Sequence, residues 1–495
     1  MTTKVVKGSV WTLAGQVAPM AVSLIATPFT IRLLGSEAYG VVILVGLIPT
    51  YFSFADFGMG IASTKFGSEA YGEGDTRKEG EVVRTAAVIA FLTSLVIALP
   101  IFLFSSWIIS EFAVPEGLQG VASAALKIGS VSFVLGIMAS VLNTPMLARL
   151  RMDMNSVTGT APKVLMTVAT PIVLYLGGGI IGAIWTGFFA GVFACALVVY
   201  FSRKLLPDML GLSINPKYFR PLLKFGGGWV IAMVAVTLLV NVEKLLLARL
   251  VSVKALAYYS VAFTFANLAI TFALALLQSL IPAFSQLQVP EKRAQFNDLF
   301  ARANRLVVLG LIPTLGFMAV IGKPFLTLWA GAEFGDGSSS PFYVLLVGIA
   351  LVLLASVTNC AVLSAGKTNV LAKIYWIELV VYTICAFVLI YFLGVLGAAL
   401  AWSIRSLFDF LLIVRASKRF VGIEFSFYQH VRSSVLGTII VLPQVLFAIV
   451  INNYSVWLIP IVVASNVLYC IYAWHSLVEE AERKWIRARL GYFAH

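Results

Sequence analysis

The sequence predicts an all-α polytopic membrane protein with about 14 transmembrane helices, and three observations lead to this class. First, 60% of the 495 residues are hydrophobic, and the mean hydropathy is +0.97. Second, only 12% are charged, whereas soluble domains are about 25% charged. Third, apolar runs of about the 20 residues that a helix needs to cross a bilayer recur along the whole chain.

The apolar runs, and the polar residues that separate them, place the individual spans. The first run is about as long as a full span and lacks a small-residue cleavage pattern, which favours an uncleaved first helix over a signal peptide. No polar segment is large enough to predict a separate soluble domain. The predicted spans are 9–34, 39–62, 85–110, 121–147, 157–177, 180–201, 226–249, 255–281, 306–330, 341–364, 371–393, 395–414, 434–452 and 455–475.

The placement of basic residues predicts the orientation of the chain. If the N-terminus is cytoplasmic, most of the 35 Lys and Arg fall in the two tails and in the loops on that side, as the positive-inside rule requires. Membrane topology and anionic lipid therefore account for the net charge of +13 without nucleic acid as a partner. The four cysteines and three histidines are scattered singly, so we expect no metal and no other cofactor.

An internal repeat links the two halves of the chain. Five pairs of landmark residues recur in the same order at offsets of 215–218 residues, which predicts two copies of one six-helix unit. Six helices are an even number, so both copies run the same way and are related by a pseudo-two-fold axis along the membrane normal. The pairs are Trp11 with Trp229, Phe66 with Phe284, Arg84 with Arg302, Asn143 with Asn359, and Gly179 with Gly394.

The repeat also predicts the domain organisation. An N-terminal six-helix bundle occupies 1–205, a cytoplasmic linker 206–224, and a C-terminal six-helix bundle 225–415. Two additional helices follow at 416–475, and a cytoplasmic tail occupies 476–495.

Three stretches of the sequence carry a family resemblance that extends over essentially the whole chain. They are the opening KGSVWTLAGQVAPMAVSLIATPFTIRLLGSEAYG, then FADFGMGIASTKF in the second helix, and VNVEKLLLARL with ALAYYS at the start of the second half. On these motifs the chain resembles the bacterial polysaccharide (O-antigen and exopolysaccharide) flippase family of the multidrug/oligosaccharidyl-lipid/polysaccharide exporter superfamily. One departure is Glu243–Lys244, where such flippases often have an Asp–Arg-like pair.

The resemblance implies a function, a location and a set of partners. The expected activity is flipping of a polyprenyl-diphosphate-linked oligosaccharide across the bacterial cytoplasmic (inner) membrane for surface polysaccharide assembly. The two bundles would alternate access around a central charged cavity, driven by an H⁺ or Na⁺ gradient. Expected partners are the lipid-linked glycan, the coupling ion, the phospholipid membrane and other polysaccharide-assembly proteins.

Charged residues inside the predicted spans are the candidate site residues, because a charge at the bilayer centre costs about 2.5–3.5 kcal/mol. Cationic side chains that line the cavity would replace the water shell of the diphosphate with charge-assisted hydrogen bonds, and acidic ones would bind the coupling ion or form salt bridges. The proposed substrate-binding residues are Arg32, Lys127, Lys163, Lys244, Arg249 and Arg405. The proposed ion-coupling or salt-bridge residues are Asp56, Glu243, Glu378 and Asp409.

Several of these charges also have a purely structural interpretation. Lys127, Lys163 and Lys244 lie near helix ends, where lysine side chains can extend to the interface. Arg32 and Arg249 occupy near-equivalent helix ends and could anchor the outer interface. Arg405 and Asp409 are spaced i, i+4 on one helix and could neutralise one another.

Two other functions compete with flipping. A cation-coupled multidrug antiporter of the same superfamily would need acidic cavity groups. Apart from span-edge residues such as Arg32 and Arg249, however, the spans hold four basic (Lys127, Lys163, Lys244 and Arg405) and four acidic residues. A membrane-embedded polysaccharide polymerase or ligase would need catalytic groups in an outer loop, but the longest outer segment, IGKPFLTLWAGAEFGDGSSS, contains no histidine. The segment Ser364–Thr368 (SAGKT) lacks the upstream glycine of a P-loop, which argues against direct ATP drive. We therefore expect a transporter and not an enzyme.

Overall fold

A computed structural model of the chain describes residues 2–211, 214–423, 458–477 and 483. Within these residues every secondary-structure element is helical. Short 3₁₀ turns lie at Ser53–Asp56, Pro207–Met209 and Pro290–Lys292, and a π-helical turn at Ala473–Leu477. The α-helices are α1 (Thr2–Thr50), α2 (Met59–Gly72), α3 (Thr76–Leu103), α4 (Ser105–Ser110), α5 (Glu116–Leu142), α6 (Thr144–Ala148), α7 (Met152–Tyr175), α8 (Gly179–Leu205), α9 (Pro216–Leu250), α10 (Val253–Ser285), α11 (Arg293–Ala330), α12 (Ala332–Ser364), α13 (Thr368–Phe420) and α14 (Leu458–Tyr472).

Glycine breaks two of the longest helices. Gly35 interrupts α1 with φ 77°, and Gly394 interrupts α13 with φ 57°. Both angles lie in the left-handed region that residues with a Cβ rarely adopt, so glycine is the residue that allows the chain to turn here. Each break falls where the sequence predicts one span to end and the next to begin.

The all-helical membrane fold predicted from the sequence is confirmed. Nine helices of the described residues are long and apolar enough to cross a membrane. Two of the nine contain two predicted spans each, so together they cover eleven of the fourteen. The predicted spans at 226–249 and 455–475 overlap two further helices, α9 and α14. The span at 434–452 and most of the tail at 476–495 lie outside the described residues, so the count of fourteen stays a prediction.

The chain forms two compact units. The first contains the residues up to Tyr258 together with Thr383–Val395, and the second contains Tyr259–Tyr382 together with the residues from Leu396 onward. α9 therefore lies in the first unit, although the sequence repeat assigns it to the second half. The domain boundaries at 205 and 225, which derive from the sequence repeat, stay predictions.

Small residues and one buried ion pair fix the helices of the first unit. A Cβ added to Gly226 of α9 would collide with the carbonyl of Phe57, so the two backbones can approach closely only because glycine is present. Where α3 begins, Glu79 is fully buried and accepts a hydrogen bond from Arg149 at 2.9 Å. Arg149 also donates to the carbonyl of Leu205, which ties three segments together.

Stacked aromatic rings fix the helices of the second unit. The ring of Phe265 on α10 lies 4.3 Å from that of Phe325 on α11 and 5.0 Å from that of Phe342 on α12. The Ser403 hydroxyl of α13 donates to the carbonyl of Val344 on α12 at 2.8 Å. These contacts set the orientation of α13, which carries the charged residues described below.

Candidate functional site

The second predicted span is a broken helix, and Asp56 holds the break together. Phe57 and Gly58 adopt left-handed angles between the 3₁₀ turn and α2. The Asp56 carboxylate accepts hydrogen bonds from the backbone N–H of Gly58 at 2.8 Å and of Gly60 at 3.1 Å. Asp56 therefore satisfies the N–H of Gly58, the residue before α2, and one free N–H of the first turn of α2, much as an N-cap side chain does.

A cavity of about 690 Å³, lined by both polar and apolar residues, lies beside this break. Asp56, Lys65 and Asn143 are among the residues that line it. The Lys65 ammonium lies over the rings of Phe66 and Phe225, 4.8 and 4.7 Å from their centroids, which holds the charge at the cavity wall. The cavity thus presents a carboxylate that is already occupied by backbone N–H groups and a cation that is restrained by two rings.

A second cavity of the first unit, of about 600 Å³, is lined by hydroxyl groups. We call it the hydroxyl pocket. Its walls come from both parts of α1, from the 3₁₀ turn at Ser53–Asp56, and from α5, α7 and α8. Among the described residues that line it, none is charged. The nine hydroxyl-bearing residues are Ser23, Thr27, Thr30, Tyr39, Thr50, Ser53, Ser132, Thr167 and Thr170.

Most of these hydroxyls donate to a carbonyl of their own helix. Thr50 donates to Gly46 at 2.8 Å, and Ser132 donates to Ile128 at 3.0 Å. This i→i−4 pattern satisfies the hydroxyl hydrogen locally and keeps a neutral polar group stable within a membrane helix. The oxygen lone pairs remain as acceptors on the pocket wall.

The second unit contains a buried group of charges on α13. Glu378 precedes the break at Gly394 and Arg405 follows it, so the turn at Gly394 brings the two side chains together. In a straight helix they would lie about 40 Å apart, at 1.5 Å per residue. An Arg405 nitrogen lies 3.8 Å from a Glu378 oxygen, and the guanidinium lies over the rings of Tyr382 and Trp402 at 5.6 and 5.5 Å.

Asp409 completes this group, which we call the α13 charge cluster (Glu378, Arg405 and Asp409). The Asp409 carboxyl lies next to the Glu378 carboxyl. Both Glu378 oxygens and one Asp409 oxygen are buried and have no hydrogen-bond donor among the described residues. Two carboxylates facing one guanidinium leave one uncompensated negative charge, and two carboxyl groups can hydrogen bond to each other only when one is protonated. The 3.8 Å ion pair of Arg405 is with Glu378, and its i+4 neighbour Asp409 faces the same guanidinium.

The other proposed site residues occupy separate places. In the first unit, Glu243 is fully buried and lies near Tyr51, and Lys244 donates to Asn241 at 3.1 Å. The exposed Arg249 pairs with Glu111 at 3.0 Å. Lys127, Lys163 and Arg32 are distributed over the same unit: the Lys127 ammonium lies 5.9 Å from the centroid of the Phe102 ring, and Lys163 and Arg32 are exposed. None of these six residues lines either of the two cavities described above.

Sequence reasoning missed Lys65 and the hydroxyl pocket. Ser23, Thr27 and Thr30 are spaced i, i+4, i+7 within the first apolar run, so they lie on one face of α1. That spacing is a signal in the sequence, but it is weaker than that of a charge, because hydroxyl groups are common in apolar helices. Lys65 lies close to a basic loop and is easily grouped with it.

The chain is similar in sequence or in fold to several known proteins. It is 22% identical over 411 residues to a putative O-antigen transporter of Shigella flexneri, covering 83% of this chain and 96% of that protein. Its fold is similar to that of the lipid II flippase MurJ, with a TM-score of 0.75 at 14% identity over 95% of this chain and all of the other. It is also similar to an inward-facing multidrug resistance MATE transporter, with a TM-score of 0.69 at 13% identity over 84% and 95% of the two chains.

The named relatives are thus transporters and flippases, and the superfamily fold expected from the sequence motifs is confirmed. The profile of one protein family, described as polysaccharide biosynthesis protein, matches residues 30–339, which is more than half of the chain. This chain is a multi-pass membrane protein that belongs to the polysaccharide biosynthesis protein family.

Proposed function

We propose that this protein flips a polyprenyl-diphosphate-linked oligosaccharide across the bacterial cytoplasmic membrane for surface polysaccharide assembly. The observation that carries the proposal is the match to the putative O-antigen transporter, which spans 96% of that protein. Membership of the polysaccharide biosynthesis protein family supports the same cargo class. The protein acts as a transporter and not as an enzyme, with both termini in the cytoplasm.

The cargo carries an anionic diphosphate that must cross about 30 Å of hydrocarbon. Arg32, Lys127, Lys163, Lys244, Arg249 and Arg405 are the proposed substrate-binding cations. Charge-assisted hydrogen bonds from such side chains replace the water that the diphosphate loses. The internal repeat of the sequence supports a transport cycle in which the two halves alternate access to the two sides of the membrane.

The α13 charge cluster is the proposed coupling site. Its excess negative charge favours the uptake of one H⁺ or Na⁺, because an uncompensated buried charge is costly in the membrane. Protonation of the carboxyl pair, or Na⁺ binding to it, would weaken the ion pair between Glu378 and Arg405 and thereby bias the conformation of α13. Asp56 and Glu243 remain further candidates for coupling or structural salt bridges, and Asp56 already serves as a helix cap.

A second candidate is a cation-coupled multidrug antiporter, which the similarity to the MATE transporter supports. Both candidates use an ion gradient, but their cargo is opposite in charge. The charge-free hydroxyl pocket offers no carboxylate to an organic cation, which favours the glycan carrier.

Reconstitution tests the proposal. Purified protein in liposomes should move a labelled polyprenyl-diphosphate oligosaccharide to the opposite leaflet, faster when a pH or Na⁺ gradient is imposed. Protein-free liposomes give the background rate. Transport of a labelled organic cation without any movement of the glycan carrier would reject the flippase and establish the antiporter.

A variant of the cluster tests the coupling site. Glu378→Gln keeps the size of the side chain but removes its charge, so it should remove the stimulation by the gradient while flipping continues at the unstimulated rate. Glu116→Gln, on an exposed carboxylate in the first turn of α5, is the matched control and should keep the stimulation. Equal stimulation in both variants would exclude Glu378 from coupling.

A further inference from the structure

None of the described residues that line the hydroxyl pocket is charged, so the pocket is poorly suited to ion coupling or to binding a diphosphate, both of which favour charged side chains. We propose that the hydroxyl pocket binds neutral sugar residues of the lipid-linked glycan. This inference rests on the proposed function, since it locates one part of the same cargo within the first unit.

The hydrogen-bonding pattern of the pocket is suited to a partner that donates hydrogen bonds. Thr167 donates to the carbonyl of Lys163 and Thr170 to that of Met166, both at 2.7 Å. Ser23 and Thr27 lie 3.2 Å apart and share one hydrogen bond. Thr167 and Thr170 have used their hydrogens, and so has whichever of Ser23 and Thr27 is the donor. These oxygens keep acceptor capacity, although that of Thr170 also faces the Thr186 hydroxyl at 2.8 Å. A sugar, which presents several O–H donors around a ring, can satisfy these acceptors from several directions at once.

The remaining surface of the pocket is apolar and partly aromatic, as the C–H faces of a sugar ring require. Phe133 and the ring of Tyr39 lie in the wall, together with aliphatic side chains. Gly46 and Gly136 also line the pocket, and a Cβ added to either would meet no atom within 4 Å. The two glycines therefore leave open space on two sides of the pocket. Among the described residues, no neighbouring atom lies so close that only glycine would fit at either position.

Size and charge narrow the class of ligand. The volume of about 600 Å³ lies within the range of about 300–1,000 Å³ that is typical of small-molecule sites. Burying a diphosphate or a uronate here would leave its charge without a cation, and burying an organic cation would leave it without a carboxylate. Neutral sugars meet neither penalty, so the pocket selects against charged residues of a glycan at this position.

Filling the pocket tests the inference. Gly136→Leu projects a side chain into the open space, whereas Gly159→Leu adds the same side chain on α7 at an exposed position outside the pocket. With a polyprenyl diphosphate that carries a neutral disaccharide, we expect Gly136→Leu to raise the apparent KM for flipping about tenfold, as the loss of one good contact does. Gly159→Leu should leave it unchanged. Equal KM values for the two variants overturn the inference while the flippase stands.

A binding measurement that needs no transport separates the two proposals. In a chain whose four cysteines are replaced by alanine, Thr27→Cys is labelled with a small maleimide in the presence and absence of a soluble neutral disaccharide. We expect the sugar to slow labelling at least fivefold, and the corresponding uronic acid disaccharide to have no effect. Unchanged labelling with the neutral sugar overturns the pocket assignment. Protection by the neutral sugar without any flipping in liposomes would keep the assignment and reject the flippase.

Discussion

The hydroxyl pocket of the first unit and the α13 charge cluster of the second unit place polar groups inside membrane helices by opposite means. The pocket distributes nine neutral hydroxyls over several helices. The cluster concentrates two carboxyls and one guanidinium on a single helix that turns at Gly394. A Ser or Thr hydroxyl is satisfied by the carbonyl of its own helix, whereas a buried charge needs a partner from elsewhere. Neutral polar groups can therefore line a cavity without constraining how the helices pack. Buried charged groups do constrain the packing, because their partners must be brought close to them.

The largest expected effect lies in the charge cluster. Arg405→Gln removes the only positive charge of the cluster and leaves the buried Glu378 carboxyl facing that of the half-buried Asp409. We therefore expect a loss of about 3–5 kcal/mol in the free energy of unfolding. Equilibrium unfolding of the purified protein in one lipid–detergent mixture measures this loss. Arg419→Gln is the control, because Arg419 is exposed and lies over the Phe420 ring at the end of α13. If both variants were equally stable, the cluster would not stabilise the fold.

A smaller effect is expected at the break in the second span. Asp56→Ala removes the acceptor of two backbone N–H groups and should cost about 1–2 kcal/mol in the free energy of unfolding, as the loss of an N-cap does. The two N–H groups bond to different oxygens of the carboxylate. Asp56→Asn keeps one of these acceptors but turns an amide N–H₂ towards the other N–H, so it should retain only part of the stability. The same unfolding measurement compares the two variants, and an Asp56→Ala variant as stable as the unmodified protein would show that these bonds do not stabilise the break.

The smallest effect is expected in the hydroxyl pocket. Ser132→Ala and Thr27→Val delete hydroxyls that are bonded within their own helix or to a neighbouring hydroxyl, so each should change the free energy of unfolding by less than about 0.5 kcal/mol. Stability would then be unaffected while binding of a neutral sugar weakens. A loss above about 2 kcal/mol in either variant would make that hydroxyl part of the structural core and remove the contrast between the two regions.

The comparison also explains what the sequence could predict. The apolar runs predicted the helical membrane fold, and the turns at Gly35 and Gly394 lie at predicted span boundaries. Glu378, Arg405 and Asp409 were identified because a charge stands out in an apolar run. Their partners were not predictable, because the i, i+4 spacing pointed to Arg405 with Asp409, whereas the fold pairs Arg405 with Glu378 through the turn. Hydroxyl groups are common in membrane helices, and only the packing of several helices gathers them into one pocket.

The same distinction explains the outcome for the other proposed cations. Lys127 and Arg249 were chosen for their charge and depth along a helix, but these properties do not fix the direction of a long side chain. In the fold, Lys127 extends towards the ring of Phe102, and Arg249 pairs with Glu111 on another segment of the first unit. Their roles in binding the diphosphate stay proposals that depend on how the cargo approaches these side chains.

The measurement that tests the account most directly compares one variant from each region in the same liposomes. Flipping of a polyprenyl diphosphate that carries a neutral disaccharide is followed at several concentrations, with and without an imposed ion gradient. Glu378→Gln should lose the stimulation by the gradient and keep the apparent KM of the unmodified protein, whereas Gly136→Leu should raise the KM about tenfold and keep the stimulation. If each variant changed both quantities to the same extent, the division between a sugar-binding pocket and a coupling cluster would be wrong.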